Sequence, residues 1–293
     1  LLYFFPETLY HKGQRSDTMK RWMLNVLIVI FAAIFLVSGY FLVDYLLESK
    51  MTADLYNDLA SMVDKATQPT EGQDQEPEDP SNPGITIDSL VEVTNSDTGE
   101  TEMVLREYAD IYELNSHTVG WIRIDGTPVN YPVMHMPEIE NYYLYRDFNR
   151  ENNNHGCLYI EEACDVYQPT DNITIYGHWM RDDSMFGSLQ SYKDEEYYKQ
   201  HQIIQFDTMK EHHTYEIICV FRTTATKGKG FVYNQFVNAA NEEEFNNFIE
   251  TCHSLEMFDT GKTAVYGDKL ICLSTCEYSQ TNGRLVIVAK RIA

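Results

Sequence analysis

Six cysteines occur in this 293-residue chain, and one of them stands where a nucleophile would. Cys276 closes the apolar run LICLSTC at 270–276 and is followed by a polar turn at 277–283, so it falls at the rim of a strand, within reach of a groove. Cys157, Cys219 and Cys272 lie inside apolar runs, and Cys252 lies on the apolar side of a helical pattern; all four read as small packing residues. Cys164 has no clear reading. Cys272 and Cys276, four residues apart on one extended strand, would be ~13 Å apart, too far for a disulfide between them.

A thiol that attacks a carbonyl needs a base or cation that favours thiolate. It also needs an acid for the departing amine, and fixed positive charge or N–H donors where the oxyanion forms. Two further residues fit those needs. His178 ends the apolar run NITIYGH at 172–178, behind a glycine that permits close backbone approach. Arg284 opens the last apolar run across a short turn, a spacing that returns its guanidinium toward Cys276. Singly, each has an ordinary explanation: a rim thiol is incidental, a histidine is structural, an arginine is solvated. Together they make a nucleophile, a proton carrier and a cation at strand ends. His212-His213 suggests a metal site less well than a solvated turn, since no ligand set surrounds the pair in sequence, and no metal or cofactor is expected.

These residues must be held by a scaffold. From about residue 120 the pattern is short apolar runs separated by turn residues, the signature of an all-β barrel or sandwich. Eight strands are predicted at 120–125, 128–135, 157–160, 172–178, 203–209, 214–225, 269–276 and 284–292, with Asp125-Gly126 as a turn between the first two. A short helix is predicted over 104–115, with Leu105, Tyr108, Ile111, Tyr112 and Leu114 on one face. Two helical insertions follow, around 185–200 and over 241–255. In the second, Phe245, Phe248, Ile249, Cys252 and Leu255 share a face and Asn241 can cap.

Upstream the chain changes character. Residues 22–43 form an uncharged apolar run that as a helix would span ~33 Å, close to the thickness of bilayer hydrocarbon. Its length and the lack of a small-x-small cleavage site favour an uncleaved anchor over a secretory signal. Lys12, Arg15, Lys20 and Arg21 precede it while Asp44 and Glu48 follow, which places 1–21 as a cytoplasmic tip and the rest outside. Met19-Lys20-Arg21 also reads as a translation start, so 1–18 either precede the mature protein or belong to it. Residues 44–65 read as a juxtamembrane helix. Residues 66–103 carry ten acidic side chains, no Lys or Arg and four of the nine prolines; they read as a flexible solvated spacer, with a weak pairing patch at Ile85-Thr86-Ile87. The head is expected over 104–293. The formal charge of −23, from 22 basic against 45 acidic residues, argues against nucleic acid as a partner, and no CxxC pair suggests structural zinc.

The segments GWIRIDGTPVNYPV, YLYRDF, YGHWMRDDSMFGSL and LSTCEYSQTNGRLVIVAKR, in that order, resemble the sortases, membrane-anchored cysteine transpeptidases of Gram-positive bacteria. A helix ahead of the barrel and another between its sixth and seventh strands are similar to the class B subgroup. The resemblance covers roughly 104–293 and implies a mainly β, eight-stranded barrel preceded by a single transmembrane helix. It implies Cys276 as nucleophile, His178 as proton carrier and Arg284 as the peptide-positioning cation, with Ser274, Thr275, Glu277 and Leu144 lining the substrate groove. The implied partners are secreted proteins bearing a C-terminal sorting motif, cleaved after Thr, and an amine of the cell wall or of a pilin as acceptor. His117 and His135 stand where the subgroup often has Asp and Gln, and the stretch NNNHGCLYIEEAC lacks a common Ser; these departures bear on substrate preference. Calcium dependence occurs in some sortases, and the carboxylates here permit it without indicating it. A hydrolytic secreted cysteine protease and a catalytically silent binding module remain alternatives.

Overall fold

The computed structural model describes residues 10–67 and 90–293. The chain divides into two compact units, one ending at Met51 and one running from Thr52 to Ala293. In the first unit, helix α1 (Tyr10–Ala66) carries the apolar run with its large side chains exposed, Phe31 and Phe35 among them. Among the described residues this is the one helix long and apolar enough to cross a membrane.

The second unit includes the last turns of α1. Tyr56, Leu59 and Val63, spaced at three and four residues, are buried in the core of the head, and the Tyr56 hydroxyl donates to the Gly156 carbonyl at 2.9 Å. The helix predicted over 44–65 is therefore part of one long helix, and its C-terminal end belongs to the head, whose boundary falls at Thr52 rather than at 104.

The spacer reading also needs correction at its C-terminal end. Strands β1 (Leu90–Thr94) and β2 (Thr101–Leu105) pair antiparallel, Val93 and Val104 are buried, and the Asn95 side chain closes the turn by accepting from the Asp97 and Thr98 amides. Averaging charge over 66–103 hides this short run of β-branched residues. The patch at 85–87 and the rest of the spacer up to residue 89 lie outside the described residues. Because β2 runs to Leu105, the helix after it shortens to a 3₁₀ turn (Arg106–Tyr108) and α2 (Ala109–Leu114). Tyr108, Ile111 and Tyr112 are buried as expected, while Leu114 is exposed.

All eight barrel strands form: β3 (Thr118–Arg123), β4 (Asn130–Met134), β5 (Leu158–Ile160), β6 (Asn172–Tyr176), β7 (Ile203–Thr208), β8 (Thr214–Thr224), β9 (Leu270–Glu277) and β10 (Gly283–Arg291). They close in the order β10-β8-β7-β3-β4-β5-β6-β9. The Asp125-Gly126 turn joins β3 to β4, with Gly126 at φ +76°. The insertion at 185–200 is a 3₁₀ helix (Gly187–Lys193) followed by α3 (Glu195–Gln200), which Asp194 caps. Helix α4 (Glu242–Ser254) lies between the sixth and seventh barrel strands; Asn241 caps it by accepting from the Glu244 amide. Phe245, Phe248, Ile249 and Cys252 pack on the barrel's outer face, while Leu255, just past the helix, is partly exposed.

One topological feature places the chemistry. Most neighbouring strands are antiparallel, but β4–β5 and β6–β9 run parallel, the latter with Tyr176 opposite Ser274. Parallel neighbours end at the same rim. The residues two positions beyond that pair are His178 and Cys276.

Candidate active site

Cys276 and Arg284 are register partners across the β9–β10 hairpin. Directly opposed residues of an antiparallel pair project from the same face, so the two side chains share one side of the sheet. On the other flank, the Gly177 amide donates to the Ser274 carbonyl at 3.1 Å, extending the β6–β9 ladder up to His178. Gly177 is required by crowding: a Cβ there would lie 2.4 Å from Leu158 and 2.7 Å from the Phe186 ring. Cys276, His178 and Arg284 all line one groove, a cavity of about 690 Å³.

The six cysteines are all free, and Cys276 is the one that is not buried. Burial raises the other five thiols, Cys164 to about 11 and the Cys272 thiol further. Cys164, unassigned from sequence, is a packing residue whose thiol donates to the Asn172 carbonyl.

His178 Nε2 donates to the Leu144 carbonyl at 2.7 Å, which fixes the hydrogen on Nε2 and leaves Nδ1 as the basic nitrogen. The Tyr145 ring lies beside the imidazole, centroids 5.3 Å apart. Burial holds the His178 pKa below its ordinary value, so the imidazole is mainly neutral at pH 7. Arg284 is tethered by Nη1, which donates to the Gly283 carbonyl at 3.0 Å.

The four proposed groove residues divide. Leu144 lines the groove and also orients His178 through its carbonyl. Ser274 and Thr275 line it too, though both are buried, and the Ser274 hydroxyl is hydrogen-bonded to that of Tyr233. Glu277 does not line the groove. It is 3% exposed, accepts from Lys193 Nζ at 2.9 Å, and accepts from Ser279. Successive strand residues alternate faces, so the residue after Cys276 points away from it.

Sequence reading missed two supports. Gln190, in the 3₁₀ segment, donates to the Cys276 carbonyl at 3.0 Å, and Lys193 holds Glu277 three residues further on. The groove's far wall comes from the connection after β8, where Phe231, Val232, Tyr233 and Asn234 line it. Across the groove, Tyr176 and Asn234 both donate to the Glu161 carboxylate. The aromatic run FVYNQF was the available signal for that wall, but it has no regular period. His212 lies in the exposed turn between β7 and β8, as expected, and there also bridges Asp207 at 2.9 Å and Glu107 at 3.1 Å.

A closed eight-stranded barrel with a thiol, an imidazole and a guanidinium on one groove defines the class. The sortase domain model matches residues 122–292, more than half of the chain, and the chain belongs to the sortase family, whose members are cysteine transpeptidases. Within the family its likeness is to sortase B. It is 30% identical to sortase B of Staphylococcus aureus over 193 residues, covering 65% of this chain and 77% of that one. It is 26% identical to sortase B of Listeria monocytogenes, covering 70% and 83%. Among solved structures, sortase B of B. anthracis in complex with AAEK1 superposes with a TM-score of 0.63 at 25% identity, covering 84% of this chain and 98% of that one.

Proposed function

We propose that this chain is a membrane-anchored sortase that cleaves a C-terminal sorting signal after Thr and transfers the acyl portion to an amine. The observation that carries this reading is the single groove onto which Cys276, His178 and Arg284 all open. Neutral His178 takes the Cys276 thiol proton on Nδ1 as Sγ attacks the Thr carbonyl, and the carbonyl oxygen becomes an oxyanion beside the Arg284 guanidinium. The leaving amine takes a proton from His178, and a thioacyl enzyme remains. An incoming amine gives a proton to His178 as it attacks, and the departing Cys276 sulfur takes that proton, which restores the thiol and the neutral ring. The lowered pKa of His178 suits this cycle: the neutral ring is free to take the thiol proton, and the imidazolium so formed gives it up readily to the leaving amine. Ser274, Thr275 and Leu144 shape the substrate's path, and Glu277 acts indirectly by tying the strand end to Lys193.

The anchor over 22–43, with residues 1–21 inside and the head outside, brings this chemistry to secreted proteins at the cell surface. The acceptor is an amine of the cell wall or of a pilin. Transpeptidation and hydrolysis share the thioacyl intermediate, so the test is product analysis: the protein is incubated with an LPxTG-like or NPxTN-like peptide with and without a small amine. Amide product that depends on both the amine and Cys276 supports transfer. Free acid alone, at equal yield with and without the amine, makes the protein a hydrolase.

A further inference from the structure

Away from the groove, three residues distant in sequence meet where α4 returns to the barrel wall. Cys219 lies within β8, fully buried. His253 is in the last turn of α4, and Glu256 lies just beyond it. The thiol, a ring nitrogen of the imidazole and a carboxylate oxygen of these three lie within 4.8 Å of one another. The frame behind them is stiff. The Met257 amide donates to the Val220 carbonyl at 2.9 Å, and Phe221 and Glu256 form a β-bridge, so the residues after α4 are stitched directly to the strand carrying Cys219.

The polar atoms here are incompletely used. His253 Nδ1 is paired with Glu256 at 2.8 Å, whereas Nε2 is buried with no hydrogen-bond partner. The Cys219 thiol donates only to the Cys252 carbonyl, at 3.2 Å, and burial raises its pKa. Packing alone explains a buried thiol; it does not explain an imidazole–carboxylate pair closing within reach of that thiol, three donors of the kind a soft divalent ion takes.

We propose that Cys219, His253 and Glu256 form a binding site for a borderline-soft divalent cation of the zinc type, separate from the catalytic groove. A thiolate, an imidazole and a carboxylate suit Zn²⁺, and a thiolate and an imidazole are poor ligands for the oxygen-seeking Ca²⁺ or Mg²⁺. Bonds of ~2.0–2.3 Å at tetrahedral angles set ligand atoms ~3.5 Å apart, so the thiol closes on the pair from within 4.8 Å while His253 Nδ1 and the Glu256 carboxylate, 2.8 Å apart, open to admit the ion. Binding exchanges the Cys219 sulfhydryl proton, released to solvent, for the metal–sulfur bond. A cavity of about 480 Å³ lined by Arg222, Leu255, Glu256, Met257, Ser279 and Gln280 opens onto Glu256 and gives the ion its way in. Once bound, the metal clamps α4 to β8.

The test uses the untagged full chain in detergent micelles, carrying Cys276→Ala so that the exposed thiol contributes nothing, with Co²⁺ alone as the probe. The expected result is a thiolate-to-cobalt charge-transfer absorption that saturates at one ion per chain. It disappears in Cys219→Ala, and its half-saturation point rises more than ~10-fold in His253→Gln, at least the loss that removing an outer-shell partner causes. His253 is partly exposed, so that variant keeps its fold, which thermal unfolding without metal verifies. No charge-transfer absorption with Co²⁺ in excess, an unchanged band in Cys219→Ala, or an unchanged half-saturation point in His253→Gln overturns the site.

Discussion

Cys276 and Arg284 sit opposite one another in the β9–β10 ladder, the thiol on one strand and the guanidinium on the next, held at a separation that backbone hydrogen bonds set. A rigid ladder is a better positioning device than a loop, because the cation's distance from the sulfur does not depend on side-chain packing alone. The parallel β6–β9 pairing then adds His178 at the same rim, so two strand pairings bring all three residues together.

The guanidinium offers several N–H donors in a fixed fork, which an ammonium cannot match. Arg284→Lys is expected to lower kcat by ~10²-fold or more, the range found when an oxyanion donor is removed, with a smaller change in KM. Steady-state kinetics on a sorting-signal peptide measures this; a Lys variant with wild-type kcat shows that charge alone suffices.

Gln190 holds the Cys276 carbonyl from outside the groove. Gln190→Ala removes one hydrogen bond worth ~1 kcal/mol to stability and frees the strand end. Lower kcat at unchanged KM, with rescue by Gln190→Asn smaller than by restoring Gln, identifies a positioning role. Unchanged kcat alongside a lowered melting temperature reduces Gln190 to a structural contact.

Gly177 has no space for a methyl group. Gly177→Ala is expected to cost ~1–3 kcal/mol, as overpacking does, and to displace His178, which follows it directly. Denaturant unfolding reads the first effect and peptide turnover the second.

His212 is held protonated by hydrogen bonds to Asp207 and then Glu107, which raise its pKa from about 6.5 to about 10. The folded state binds this proton more tightly than the unfolded state, so the stabilisation is complete below pH ~6.5 and declines as pH rises to ~10. His212→Gln is expected to flatten that decline. Melting temperatures taken across this range for both proteins check it, and curves that stay parallel contradict it.

Much of this was legible in the sequence because the barrel strands are continuous apolar runs, each bounded by turn residues, and because β6, β9 and β10 all display a reactive side chain at an end. What was hidden depends on contacts between distant segments. Nothing local in GSLQSYK announces that Gln190 and Lys193 pin the strand carrying Cys276. Glu277, adjacent to Cys276, looked like a groove residue until strand alternation turned it toward Lys193. The β1–β2 hairpin was lost in the average acidity around it, and the burial of Tyr56, Leu59 and Val63 was unreadable because their helix is continuous with the apolar one.

The most direct test of the central claim is intact-protein mass spectrometry after mixing the protein with a sorting-signal peptide, followed by peptide mapping of any adduct. The account predicts a mass increase equal to the acyl fragment ending in Thr, located on Cys276, discharged by an added amine and absent from Cys276→Ala. An adduct on another residue, or peptide cleavage by Cys276→Ala at the wild-type rate, contradicts it.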